Sequence, residues 1–205
     1  MTDTFVNVHT KPETIGDKFA YRTVKFMRVF ADAFFSKRYG HRAVVLETVA
    51  AVPGMVGGML LHLKSLRLMK PDEGWIKTLL DEAENERMHL MAFVEMYKPS
   101  LFERLIVILA QGIFFNLYFV SYLINPKICH RIVGYLEEEA CVSYTQYLEM
   151  IQNGSFENRD IPQWCKDYWK LDVDAKLEQL VIAIREDEAG HRDVNHEFAD
   201  VIAKS

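Results

Sequence analysis

The stretch Asp81-Glu82-Ala83-Glu84-Asn85-Glu86-Arg87-Met88-His89-Leu90 contains an E-x-x-H motif, and Asp187-Glu188-Ala189-Gly190-His191-Arg192 repeats it about a hundred residues later. Positions i and i+3 share a face of an α-helix, so each motif can present one carboxylate and one imidazole to the same side. A single motif of this kind is ordinary on a solvated helix. The pair gains meaning from what precedes each member. Glu47 in Val44-Val45-Leu46-Glu47-Thr48-Val49-Ala50 and Glu137 after Gly134-Tyr135-Leu136 are carboxylates in otherwise apolar stretches. An ionised group there is costly unless it is paired or coordinated.

On either side of these motifs long 3.6-residue periods dominate, and no alternating β-branched run bounded by hairpin turns interrupts them. The fold class read from this pattern is all-α. Helices are expected over Ile15–Phe35, His41–Arg67, Gly74–Met96, Leu101–Leu123, Lys127–Gln152 and Val173–Ala203, with a short one near Trp164–Trp169 in the longest connection. Lys70-Pro71-Asp72-Glu73-Gly74, Lys98-Pro99-Ser100 and Asn125-Pro126 supply the breaks. Pro53 beside Gly54, Gly57 and Gly58 predicts a kink and a close helix contact.

On such helices the order Glu, E-x-x-H, Glu, E-x-x-H is the ligand set of a ferritin-like four-helix bundle carrying a dinuclear carboxylate site. Four carboxylates and two neutral imidazoles suit two iron or manganese ions better than copper or structural zinc. The remaining composition agrees with one domain over 17–205 preceded by a flexible arm over 1–16. The chain has 205 residues, half of them hydrophobic, enough for a sizeable core. A formal charge of -5 argues against nucleic-acid partners. The cysteines, Cys129, Cys141 and Cys165, are odd in number and lack C-x-x-C spacing, which excludes a disulfide framework and a zinc-thiolate site.

Leu105 to Ile124, LIVILAQGIFFNLYFVSYLI, is uncharged over 20 residues, long enough to cross ~30 Å of hydrocarbon. A crossing would place Glu47 and Glu86 on one side and Glu137 and Glu188 on the other, away from a shared metal pair. The acidic run from Asp81 to Glu86 excludes burying every helix in lipid. The span is therefore expected to lie on one leaflet. The first helix would join it through Phe19, Val24, Met27, Phe30, Ala31, Phe34 and Phe35, opposite a polar stripe of Lys18, Arg22, Lys25, Asp32 and Ser36. Arg22, Lys25, Lys37, Arg38 and Arg42 would then meet anionic headgroups. The competing reading places both helices in a soluble core.

Leu46-Glu47-Thr48, Asn85-Glu86-Arg87-Met88-His89-Leu90, Leu136-Glu137-Glu138-Glu139-Ala140 and Asp187-Glu188-Ala189-Gly190-His191-Arg192 resemble, in order and spacing, the four signature motifs of the alternative oxidases. The resemblance covers about Tyr21 to Ala199. It implies a cyanide-insensitive ubiquinol oxidase that reduces O2 to water without pumping protons, on one leaflet of a respiratory membrane. Its two iron ions would be held by Glu47, Glu86, His89, Glu137, Glu188 and His191. Glu138 would be solvated or support a ligand. The quinol pocket would be formed by Arg28, Asp32, Arg42, Leu46, Glu139, Ala140 and Ser143, with Ser143 where the family is expected to have Thr. The resemblance also implies a homodimer with His62 and Arg67 at its contact.

Tyr144 stands seven residues after Glu137 on the same stripe, where a tyrosine can approach the metals or merely pack. The resemblance makes it a redox-active tyrosine, and makes Tyr168 and Trp169 part of an electron path or a support to the site; loop anchoring is their plain alternative. Asn85 and Asp187 precede ligands and can orient the imidazoles, or be ordinary helix polarity. His9, His41, His130 and His196 receive no metal role. No Cys precedes Cys129, so regulation by a disulfide or a 2-oxo acid is not expected. The first sixteen residues lack a signal-peptide core and an Arg-rich transit pattern, which favours a bacterial cytoplasmic membrane, or a mitochondrial inner membrane for a processed chain. Two other functions fit the ligand set: a membrane-bound di-iron hydroxylase of a quinone precursor or lipid, and a non-catalytic iron-handling bundle. The long uncharged stretch disfavours the second.

Overall fold

The computed structural model describes residues 3–35 and 39–204, with the side chains at 3, 4, 30, 34, 35 and 39–41 outside that description. Ser36, Lys37 and Arg38, three of the residues expected along the membrane-facing helix, lie outside the described residues. The fold is all-α: α1 Asp3–Val6, α2 Ile15–Phe35, α3 Tyr39–Leu68, α4 Trp75–Tyr97, α5 Leu101–Ile124, α6 Pro126–Gln152, α7 Gln163–Trp169 and α8 Leu177–Lys204. Among the described residues there is no strand, only an isolated antiparallel bridge between Asp160 and Lys176. The last helix begins four residues later than expected. Ala175 N closes a turn on Asp172 O (3.0 Å), and Leu177 N donates to Arg159 O (3.0 Å), which spends those amides outside a helix.

The chain divides into two compact units, Gly40–Cys129 and Met1–Tyr39 with His130–Ser205. In the first, α3 and α4 run antiparallel, because Gly54 meets Leu79 and Ala83 while Glu47 meets His89. A Cβ on Gly54 would lie 2.3 Å from Leu79 O, and one on Gly58 3.0 Å from the Leu80 side chain. The expected glycine contact is therefore present, and α3 continues through Pro53. Ser100 and Glu103 close a capping box on α5: Ser100 N donates to Glu103 Oε2 (2.8 Å) and Glu103 N to Ser100 Oγ (3.3 Å).

The two apolar helices of this unit differ in cover. The apolar window of α3 is 56% buried and that of α5 only 11%. Of α5, only Tyr118 and Tyr122 are buried, and Leu105, Ile108, Leu109, Ile113, Leu117 and Val120 stand exposed. Single exposed apolar residues are normal, but a contiguous line of this length marks a surface that binds something apolar. The soluble-core alternative for this segment is not what the fold shows.

In the other unit, α2 buries Asp17, Ala20 and Val24 against α6, with Tyr135, Tyr21, Ile132 and Leu136 packed around them. This corrects the expected stripe. Val24 faces inward, whereas Phe19 joins Ile15, Phe26 and Val29 on the exposed side. The helix has two apolar lines, and hydropathy alone cannot tell which one is covered. A second correction concerns Arg42, which is buried rather than free to meet headgroups, because it opens the core-facing run Ala43-Val44-Val45. Lys25 is held in an ion pair with Glu139. The first sixteen residues, read as an arm, include α1 and a buried Val6 that packs on Cys141 and Ala189.

Candidate metal centre

Within unit Gly40–Cys129, α3 supplies Glu47 and α4 supplies Glu86 and His89, and their ligand atoms lie within 4.8 Å of one another. His89 Nδ1 is 3.5 Å from Glu47 Oε2 and 3.5 Å from Glu86 Oε2. All three side chains are buried, His89 completely. Burial, then the Glu86 carboxylate, push the Glu47 carboxyl up to about 7, while His89 pulls the other way. Two carboxylates confined together in this way are a donor set that calls for a cation, so the residues present fit a metal. Glu82, one turn before Glu86, is buried too. Only its i−4 position relative to Glu86 could have singled it out in the sequence.

A raised carboxyl pKa has a consequence for the metal-free chain. The protonated form favours the fold, so stability present in the ordinary carboxyl range is lost as pH rises through about 7. The urea midpoint of metal-free protein is expected to be higher at pH 5.5 than at pH 8, and iron should abolish or reverse that order.

In the other unit, Glu137 on α6 and Glu188 on α8 are buried, and His191 is half-buried one turn beyond Glu188. Trp169 Nε1 donates to Asp187 Oδ2 at 2.7 Å, and Tyr168 meets the Trp169 ring edge-on at 4.7 Å. The short helix α7 is thus pinned directly beside the acid of the second E-x-x-H motif. Asn85 is half-buried. Tyr144 is buried on α6.

Five of the seven residues expected at a quinol pocket belong to α2 and α6 of this unit, and four of them are bonded together. Arg28 donates Nε to Asp32 (2.8 Å) and Nη1 to Glu139 O (3.0 Å), Glu139 Oε2 (3.1 Å) and Ser143 Oγ (3.0 Å). Ala140 is half-buried between Glu139 and Cys141. Arg42 and Leu46 belong to the other unit, buried and half-buried. His62 and Arg67 are exposed on α3.

Glu138 is not solvated. It accepts from His9 Nδ1 (2.5 Å), Thr10 N (2.9 Å) and His196 Nε2 (3.0 Å). Burial alone would raise its pKa, but these donors outweigh that and hold it below the usual range. Arg131 Nη1 can only donate, so His196 Nδ1 accepts it (2.9 Å), leaving His196 Nε2–H for Glu138. Arg131 also binds Asp17 (3.0 Å) and Asp200. Gly134 makes room for this line: a Cβ there would sit 2.6 Å from His196 Cε1.

Buried Glu47, Glu86 and His89 on two helices of an all-α chain form a cluster that could hold a metal. The alternative oxidase family model matches residues 2–200, and the chain belongs to that family. It is 60% identical over 193 residues to "Ubiquinol oxidase, mitochondrial" of Mangifera indica, covering 94% of this chain and 61% of the relative. It is 59% identical over 196 residues to "Alternative oxidase 3, mitochondrial" of Glycine max, covering 96% and 60%. It is 57% identical over 195 residues to "Ubiquinol oxidase, mitochondrial" of Batrachochytrium dendrobatidis (strain JAM81 / FGSC 10211), covering 95% and 62%. The chain spans about three-fifths of the length of these curated relatives. All three carry mitochondrial names, and none supports the bacterial membrane favoured from the sequence.

Proposed function

We propose that the chain oxidises ubiquinol and reduces O2 to water, insensitive to cyanide and without pumping protons. Two iron ions would be held by Glu47, Glu86, His89, Glu137, Glu188 and His191, and residues 17–205 would be a single oxidase domain. The observation that carries the reading is the buried Glu47, Glu86 and His89 set in a chain of this family. Four carboxylates and two neutral imidazoles sum to four negative charges, which matches two divalent ions. When bound, the iron pair would supply O2 binding and one-electron redox chemistry, which side chains lack.

The protein's own groups do the rest. Arg28, fixed by Asp32, Glu139 and Ser143, is a preorganised donor for a quinol oxygen. Glu139 and Ala140 belong to the same proposed quinol site, for which Arg42 and Leu46 on α3 are further candidates. Tyr144 passes an electron and a proton, while Asp187 is held by Trp169 and Tyr168 steadies that indole. Asn85 and Asp187 would orient the imidazoles. The decisive assay is O2 uptake by iron-loaded full chain with a ubiquinol analogue in cyanide, with product analysis. Water is expected. Hydroxylated quinone would point instead to a hydroxylase, and no uptake would refute the oxidase.

The protein would sit on one leaflet of the mitochondrial inner membrane, a placement supported by the exposed lines of α5 and α2 and by the relatives' names. Glutamates at Ile108, Leu109 and Ile113 should leave the helix intact, since those side chains face outward, but shift the protein from vesicles to the supernatant. Unchanged flotation with vesicles would contradict this. A homodimer through α3 is supported by the exposed line Met55, Met59, Leu63 and Leu66 beside His62 and Arg67.

A further inference from the structure

Residues 5–10 touch α6 and α8 at residues that follow the proposed ligands in sequence. Val6 packs on Cys141, one turn past Glu137, and on Ala189, which follows Glu188. Arg192, which follows His191, is fully buried and donates Nη1 to Val6 O (2.8 Å) and Nη2 to Phe5 O (2.9 Å). Its guanidinium lies 5.4 Å from the Phe5 ring centre. Glu138, which follows Glu137, takes His9 Nδ1 (2.5 Å) and Thr10 N (2.9 Å).

The neighbour of a ligand points about 100° away from it around the helix. A contact there does little to draw the ligand inward, but it opposes rotation of the helix about its own axis. On α8 such contacts follow both members of the E-x-x-H motif, and on α6 one follows Glu137. The segment making them comes from the opposite end of the chain, so no local helix propensity supplies this restraint.

We propose that residues 5–10 are a strap that sets the roll of α6 and α8, and so aims Glu137, Glu188 and His191 at their metal. The strap is a positioning element and contributes no ligand. This rests on the reading of those three residues as ligands.

The test uses the full chain loaded with iron, and reads bound iron, its rate of release to a chelator, helix content and Tm. His9→Ala, alone and with Val6→Ala, should keep helix content and bind two irons at saturation. Release should accelerate, on the order of tenfold in the double variant, as for other groups that orient metal ligands. His9→Asn, whose amide nitrogen stands where Nδ1 stood, should restore slow release. Ile161→Ala removes a buried side chain from the connection before α7 and serves as the stability control. It should lower Tm and leave release at the wild-type rate. Wild-type release in the double variant overturns the strap, as does release that merely tracks Tm across all variants. If Glu137→Ala holds as much iron as wild type, the ligand reading itself falls and takes the strap with it.

Discussion

Glu137→Ala is expected to reduce bound iron and to bring O2 uptake below about 1% of wild type, a rise in barrier of ~3 kcal/mol or more. The side chain is buried on α6, and under the proposed ligand set its loss would leave three carboxylates against two divalent ions. Alanine cannot replace either the charge or the oxygen donors. Glu138→Ala separates ligand from support. Its carboxylate holds three donors, one of them the His196 Nε2–H, so its removal should cost about 2 kcal/mol in a urea titration. It should still bind two irons at saturation. Iron content and uptake measured side by side check both, and full iron with full activity in Glu137→Ala would remove that residue from the ligand set.

Tyr144→Phe is expected to keep iron content and Tm while quinol oxidation falls to about a tenth or less, ~1.4 kcal/mol or more in barrier. Each O2 takes four electrons to become water, and each ubiquinol supplies two. Two ubiquinols therefore supply the four, pair by pair, and a phenol that lends one electron with its proton until the second pair arrives covers part of the interval; a buried tyrosine two turns from Glu137 on the same helix is suited to it. Phenylalanine preserves the packing and removes only the hydroxyl. Tyr135→Phe is the control. Tyr135 is equally buried on α6, but it packs on Tyr21, His9 and His196, and burial pushes its hydroxyl up to about 12. Near-normal turnover in Tyr144→Phe would reduce that residue to packing.

The helices and the buried acids were readable because both are periodic properties of a single chain segment. Glu47 and Glu137 are conspicuous as charges in apolar runs, and each E-x-x-H is a local spacing. What the sequence withheld depends on partners far along the chain. His9 and Glu138 are separated by 129 positions, and Arg192 and Val6 by 186, so no window reveals that the arm is docked. Arg42 reads as a surface cation until α3 is seen to turn it inward. On α2, two apolar lines compete for the core, and only the packing of Tyr135 and Leu136 decides for Ala20 and Val24.

Gly134 bears on any attempt to make this protein more robust. Glycine inside a helix costs roughly 1 kcal/mol relative to alanine, so a stabilisation campaign guided by helix propensity would choose it early. The ring it would strike cannot swing away, because His196 is held at both nitrogens, by Arg131 and by Glu138. A single methyl would therefore be felt through α8 and on to the amino-terminal residues. The glycine of α6 is the residue an engineer should leave untouched.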